Sequence, residues 1–394
     1  MCLLAPYSSS LFIPRHQYIP PCWVCDNAHM VSEKGHFVTQ HIIIVGGGYA
    51  GSNIAHALDK IAKVTLIEPR EAFVHNVAAM RALVSPELLD QIIIPYDWLL
   101  TNGEIIRARA SRIEEGRVTL EDGRIIDGDI VIAATGSTYA QPFKPTSPSM
   151  TDFRAQQQAT HTALQAAKTV AIIGAGPVGV ELAAEIASRH PMKKVTLYAG
   201  SDTVVPGVSN KLSSALHKQI LEMGIDLRLG VMTSDLEHTD KPYSGTFMAN
   251  GKSVAADLVV PVFGAVPVLP PLDGTAAPSG RLKVDGWMRP EGYMKVFSFG
   301  DAAESGDPMT IIAVRRQMNW LVKALTAMLK GTDLESIAPY KAAEKPFLLV
   351  PLGQSSGSSV FPFSRSGWVV GPWLTQKIKG KDLFIEKTRK EMGY

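Results

Sequence analysis

One pattern that occurs twice constrains this chain more than anything else in it. The β-branched run Ile42-Ile43-Ile44-Val45 leads directly into Gly46-Gly47-Gly48-Tyr49-Ala50-Gly51. A segment from Ser52 to Ile61 follows, with Ile54, Ala57 and Leu58 at helical spacing. The same grammar returns 128 positions later, where Val170-Ala171-Ile172-Ile173 enters Gly174-Ala175-Gly176-Pro177-Val178-Gly179 and a helix through Glu181–Ile186. Strands without polar alternation are those buried on both faces of a parallel sheet. Each copy also carries a second strand, Val64–Ile67 and Val195–Tyr198. The period is far too long for a solenoid, so this is a duplicated βαβ unit.

A Gly-x-Gly-x-x-Gly between strand and helix has a mechanical reading. Gly46 permits the tight turn, Gly48 lets backbone approach a pyrophosphate, and Gly51 allows close helix–strand packing. Gly174, Gly176 and Gly179 repeat those roles. The helix N-terminus supplies free N–H groups and partial positive charge for the diphosphate. Glu68 lies 20 residues after Gly48 at the end of the second strand, where a carboxylate accepts from a ribose diol. In the second copy that register falls on Ala199, followed by Gly200 and Ser201, with no acid and no arginine. NADH and NADPH are therefore both acceptable. Glu181, at the start of the second helix, has two readings: a carboxylate compatible with the helix dipole, or a contact to the nicotinamide half of the cofactor.

At 394 residues the chain is long enough for two or three domains. With 46% hydrophobic and 19% charged residues it can build real cores, and a net charge of +2 argues against a dedicated nucleic-acid binder. No apolar run reaches the roughly 20 residues of a membrane-spanning helix. The expected fold is α/β: two Rossmann-like dinucleotide-binding domains and a small C-terminal α+β segment. The expected boundaries are an irregular extension over 1–40, the first dinucleotide-binding domain over 41–145 and 271–335, the second over 146–270, and the C-terminal segment over 336–394. Within these, Gly116–Asp129 reads as a hairpin, Ile105–Ala110 as a strand, and Thr310–Leu329 as a helix.

Two dinucleotide sites in one chain suggest a hydride relay from a nicotinamide to a flavin and on to an acceptor. Gly300-Asp301, after the buried run Val296–Phe299, suits a carboxylate that fixes the ribityl hydroxyls of FAD. The pattern resembles the two-dinucleotide-binding flavoprotein reductases, which implies an FAD domain over 41–145 and 271–335 with an inserted NAD(P) domain over 146–270. More narrowly it is similar to the apoptosis-inducing-factor-like, mitochondrion-associated group, the ferroptosis-suppressor type of NAD(P)H:quinone reductase. Ala72–Ala82, Ala134-Thr135-Gly136-Ser137 and the tail from Tyr340-Lys341 to Lys381-Asp382-Leu383-Phe384 carry the narrower likeness. The resemblance implies that Gly46–Gly51, Glu68, Asn76, Arg81, Ala108, Thr135, Gly136 and Asp301 serve FAD. It implies that Gly174, Gly176, Gly179, Glu181 and Gly264 serve NAD(P)H. Arg81 has an alternative as a surface cation on a helix. His75 and Gln317 are candidates for the acceptor side, Gln317 equally a solvated helix residue.

The expected function is an FAD-dependent NAD(P)H oxidoreductase with a quinone-like acceptor. The alternatives are a reductase of a ferredoxin-like carrier, a tailoring oxidoreductase of an aromatic metabolite, and a nucleotide-sensing, death-signalling flavoprotein. Cys2, Cys22 and Cys25 all precede the first glycine loop, so no dithiol stands beside the flavin and no indispensable protein nucleophile is expected. Cys22-Trp23-Val24-Cys25 has no second pair, and no metal site is expected. The chain opens Met1-Cys2 rather than Met-Gly, so no myristoyl anchor is expected. Phe361, Phe363, Trp368, Trp373 and Phe384 mix with Lys377, Lys379, Lys381, Lys387, Arg389 and Lys390 near the C-terminus. That mixture suits either a membrane interface or a small domain with a solvated basic face. A cytoplasmic protein follows, peripheral on the mitochondrial outer surface or a lipid droplet in the membrane reading.

Overall fold

The computed structural model describes residues 40–364 and 367–394. The Cys22–Cys25 pair and nearly all of the expected N-terminal extension lie outside the described residues.

The first glycine unit builds a parallel five-stranded sheet. Its strands are β1 (His41–Val45), β2 (Lys63–Ile67), β3 (Glu104–Ile106), β4 (Ile130–Ala133) and, much later in the chain, a strand at Val296–Ser298. The order is Val296–Ser298, β4, β1, β2, β3. Ile42, Ile43 and Ile44 are fully buried because the sheet is covered on both sides. The helix α1 (Tyr49–Leu58) returns β1 to β2 and begins three residues earlier than the spacing of apolar positions indicates.

After β4 the chain leaves this sheet and makes a second one. Its strands are β5 (Thr169–Ile173), β6 (Lys194–Tyr198), β7 (Asp226–Arg228), β8 (Thr233–Ser234), β9 (Tyr243–Ala249) and β10 (Lys252–Pro261), in the order β7-β6-β5-β10-β9-β8. β5 pairs in parallel with β6 and β10, while β9 is antiparallel to β10. The chain then comes back as β11 (Val296–Ser298) beside β4. One Rossmann-like unit is thus inserted in the other. The two crossings between sheets run side by side, Ser137-Thr138 pairing antiparallel with Val266-Pro267.

Some local expectations are corrected. Ile105–Ala110 is not one strand: β3 ends at Ile106, and Ala108 sits in the connection to a strand at Ala110–Glu114. The Gly116–Asp129 hairpin is the outer two-thirds of a three-stranded meander, Ala110–Glu114, Arg117–Leu120 and Ile125–Asp127.

The remaining helices that matter are α2 (Ala79–Val84), α3 (Met150–Ala166), α4 (Pro177–Arg189), α5 (Ile311–Leu329) and α6 (Ile385–Glu391). The C-terminal segment supplies an antiparallel sheet, β12 (Leu348–Leu352), β13 (Ser356–Phe361) and β14 (Trp368–Val370). Val350, Leu352 and Val360 from this sheet share one buried core with Leu182, Ala183 and Ile186 of α4 and with Met80, Leu83 and Val84 of α2. That shared core decides where the charged side chains on α2 and α4 end up.

Candidate active site

The two glycine loops have the same stereochemistry. Gly46 and Gly174 adopt φ of +103° and +122°, a region only glycine occupies readily. A Cβ there would also lie 2.5 Å from the carbonyl oxygens of Ala134 and Val262. At Gly51 and Gly179 a Cβ would overlap the carbonyl oxygens of Gly46 and Gly174 outright. At Gly48 and Gly176 it would meet nothing within 4 Å. The first and third glycines are therefore fixed by packing, whereas the middle one borders open space. Neither α1 nor α4 has a side-chain cap, so their leading N–H groups remain available to an anion. The geometry fits a dinucleotide diphosphate at each loop. By contrast, the hydroxyl of Thr310 accepts the Ala313 N–H at 3.3 Å and caps α5.

Glu68 sits at the end of β2 as expected and is only 2% exposed. Its Oε2 accepts the Gly47 N–H at 2.5 Å, and the pair of oxygens accepts three N–H groups of Arg70, from the backbone, Nε and Nη2, at 2.8, 2.8 and 2.9 Å. Burial works against ionisation. The Arg70 charge and these hydrogen bonds outweigh it, holding the carboxyl below its ordinary range. Gly47 cannot carry a side chain, because its Cβ would lie 2.8 Å from both Glu68 Cγ and the Tyr96 hydroxyl.

Asp301 sits in the turn after β11, at the mouth of the first loop: a Cβ on Gly300 would lie 3.1 Å from Ala50 Cβ. The Ser137 hydroxyl donates to Asp301 Oδ2 at 2.6 Å. Lys144 Nζ donates to Ser137 Oγ at 2.6 Å and to its carbonyl at 2.9 Å, and stands 3.9 Å from Asp301. Burial pushes the Lys144 ammonium below its ordinary range. Thr135 and Gly136 precede this cluster. The Thr135 hydroxyl donates to the Val268 carbonyl at 2.5 Å, and Gly136 has φ +72°. Gly264, on the returning crossing, has φ +107° with open space at its Cβ position.

Gln317 is neither a pocket-lining nor a solvated residue. It is 2% exposed. Its Oε1 accepts the Gly300 N–H at 2.8 Å, and its Nε2 donates to Ser305 Oγ at 2.8 Å and Asp307 Oδ2 at 2.9 Å. It ties α5 to the turn that presents Asp301. Asp307 is itself a hub, bonded also by Arg316 and the Tyr340 hydroxyl.

His75 is likewise removed from an acceptor-side role. Its ring is fully buried. Nε2 lies 2.7 Å from the Leu383 carbonyl oxygen, which can only accept, so Nε2 carries the proton and Nδ1 accepts from the Tyr49 hydroxyl at 3.0 Å. Burial pushes its pKa down to about 4, so the ring is neutral near pH 7. It joins the first loop to the C-terminal segment. The neighbouring Asn76 keeps its Oδ1 buried without a protein partner, which leaves it free for a donor on a bound ligand.

Arg81 is the clearest correction. It is neither a surface cation nor a free phosphate ligand, being 2% exposed with its donors already engaged. Nη2 and Nε meet Glu185 at 2.7 Å, Nη1 donates to the carbonyls of Gly380 and Lys381, and Nη2 to that of Gly353. The physical cause is the core shared by α2, α4 and the C-terminal sheet, which draws Arg81 between them. Glu181, one turn before Glu185, is buried too. Its Oε1 accepts from Lys379 Nζ at 2.7 Å, and its Oε2 is left without a protein partner. Burial raises the Glu181 pKa, partly offset by Lys379. Arg70, Lys144 and Asp307 went unnoticed in the sequence because none belongs to a spaced motif, and Lys379, read there as one cation of a C-terminal basic surface, is instead buried against Glu181. Among the described residues no cluster of metal-ligating side chains occurs, and no helix is long and apolar enough to cross a membrane.

Comparison with known proteins gives this geometry its context. Residues 40–319 match the pyridine nucleotide-disulphide oxidoreductase family. The chain is 30% identical to apoptosis-inducing factor homolog B of Dictyostelium discoideum, over 91% of this chain and 97% of that one. It is 27% identical to ferroptosis suppressor protein 1 of Mus musculus, over 89% and 95%. Among solved structures it superposes on the sulfide:quinone oxidoreductase of Aquifex aeolicus with a TM-score of 0.70 at 18% identity, covering 89% and 92%. The chain therefore belongs to the pyridine nucleotide-disulphide oxidoreductase family, as an NAD(P)H- and FAD-dependent oxidoreductase.

Proposed function

We propose that this oxidoreductase takes hydride from NADH or NADPH held at Gly174–Gly179 and delivers the electrons, through FAD held at Gly46–Gly51, to a quinone-like acceptor. The observation that carries this reading is the pair of matching glycine cradles, each with an open middle position and uncapped helix N–H groups. FAD, when bound, supplies the redox chemistry, accepting hydride and releasing electrons. The residues of the chain bind and orient. Glu68 and Asp301 lie at the ribose and ribityl ends of the first site. Gln317 keeps the Gly300–Asp301 turn in place, and Asn76 Oδ1 is available on the same lobe. Gly264 and Glu181 belong to the second site. Hydride transfer needs proximity and alignment more than a protein acid or base, which agrees with the absence of cysteine after Cys25.

A quinone acceptor is supported by the name of one solved structure of the same fold, a sulfide:quinone oxidoreductase. It also agrees with the C-terminal surface. Phe361 and Phe363 stack with ring centroids 6.1 Å apart, Trp368 meets Phe363 at 6.0 Å, and Lys377 lies over Trp373. Phe363 and Trp373 are 73% and 74% exposed. Rings and lysines in this arrangement suit the headgroup layer of a membrane, from which a lipid-dissolved quinone is reached. We assign the protein to the cytoplasmic side of such a membrane, as a peripheral component. The test is steady-state NADH oxidation with a short-chain quinone, in solution and with vesicles of anionic lipid. Quinone-dependent turnover, with co-sedimentation lost in a Phe363→Ser/Trp373→Ser variant, is expected. An NADH oxidation rate indifferent to every quinone tested would overturn the acceptor.

A further inference from the structure

The Glu68 carboxylate poses a problem for the role its position gives it. A carboxylate offers about four lone-pair sites, and all four are occupied: by the Gly47 N–H and by the backbone, Nε and Nη2 donors of Arg70. The two hydroxyls of a ribose diol can bond to Glu68 only if the Arg70 guanidinium withdraws. Withdrawal frees a cation at the edge of the first glycine loop, since Arg70 is partly exposed and follows Glu68 by two residues.

At the other end of the site stands a second cation. Lys144 uses two N–H groups on Ser137 and directs its charge toward Asp301 at 3.9 Å. The Arg70 charge acts on Lys144 as a repulsion, so the two cations lie within electrostatic reach of each other. The accounting of charge explains why they are there. Glu68 and Asp301 carry one negative charge each, and a diphosphate between them adds two more. The α1 N-terminus offsets roughly half a charge. Without further cations the cleft would hold strongly repelling anions.

We propose that Arg70 and Lys144 are the counter-charges of the FAD diphosphate. Arg70 exchanges Glu68 for a phosphate oxygen as the ribose hydroxyls replace it on Glu68, and Lys144 contributes its remaining N–H from the Ser137 side. This deepens the FAD reading above and rests on it. Both residues come from outside the glycine motif, Arg70 from the turn after β2 and Lys144 from the linker between the sheets.

The experiment uses the full-length holoprotein. FAD released on dilution is read by its fluorescence, and rebinding is measured against ADP or adenosine as competitor. ADP carries the diphosphate and adenosine only the ribose. In the unaltered protein ADP competes better than adenosine. Arg70→Met and Lys144→Met each release FAD roughly 10- to 100-fold more readily, the range of a charge-assisted hydrogen bond, and lose the preference for ADP, while adenosine competes as before in Lys144→Met and at least as well in Arg70→Met, where the guanidinium no longer covers Glu68. Lys144→Arg keeps the charge and restores the preference. Unchanged FAD release in both Met variants, or an equal loss of ADP and adenosine, overturns the proposal. An unaltered protein that holds no FAD overturns the underlying reading instead, a result distinct from either.

Discussion

Lys379 Nζ lies 2.7 Å from Glu181 Oε1, so a cation from the C-terminal segment is buried against the helix that follows the second glycine loop. Removing one member of a buried pair leaves an uncompensated charge, which costs about 3–5 kcal/mol. Lys379→Met is therefore expected to lower unfolding stability by about that amount. A Glu181→Gln/Lys379→Met double variant should recover much of the loss, as a double-mutant cycle in denaturant will read. Strict additivity of the two single losses would show that the pair is not coupled.

Arg81 and Glu185 form a second pair one helical turn on, and Arg81 also holds the Gly353, Gly380 and Lys381 carbonyls. Arg81→Met should loosen the C-terminal segment selectively. Hydrogen exchange is expected to rise in residues 376–384 and on α2, with β1 and β5 unaffected. A uniform rise across the molecule would contradict the assigned role.

The glycine loops predict two different failures. Gly179→Ala drives a methyl into the Gly174 carbonyl and should abolish soluble folded protein. Gly176→Ala projects into open space and should leave the melting temperature within about 2 °C, a ΔΔG of roughly 0.5 kcal/mol. Its cost should appear instead as an NADH KM raised about tenfold, equivalent to about 1.4 kcal/mol. A Gly176→Ala protein with normal KM would show that nothing occupies the second cradle.

His75 sets a pH dependence whose sign is fixed. Its folded pKa is depressed to about 4, against 6.5 for the free side chain, so between those values the unfolded chain binds more protons. Its contribution is complete above pH 6.5 and is lost as pH falls toward 4, amounting to about 3 kcal/mol at most. His75→Gln keeps a donor for Leu383 and an acceptor for Tyr49. That variant should flatten the slope of unfolding free energy between pH 6.5 and 4. An unchanged slope would place the proton uptake elsewhere.

The sequence made the scaffold legible because its signals are local. Two β-branched runs, two glycine triplets and their following helices lie contiguous in the chain, and Glu68 and Asp301 could be placed from strand ends alone. What could not be read is what the third dimension decides. Arg81 looks like a phosphate ligand or a surface cation until α2, α4 and the C-terminal sheet are known to share one core, which then pulls it against Glu185. His75 and Gln317 look like acceptor-side polar groups until Leu383, 308 residues away from His75, and the Gly300 turn are seen to take up their hydrogen bonds. Lys379 meets Glu181 across 198 positions, and Lys144 reaches Asp301 from an irregular linker. No period or spacing encodes such pairs.

The most direct test of the account is an anaerobic titration of the purified protein followed by its visible spectrum. The flavin absorbance is expected to bleach on addition of one equivalent of NADH or NADPH and to return when a quinone is added. A protein that carries flavin yet stays oxidised under excess NADH and NADPH would contradict the relay between the two cradles.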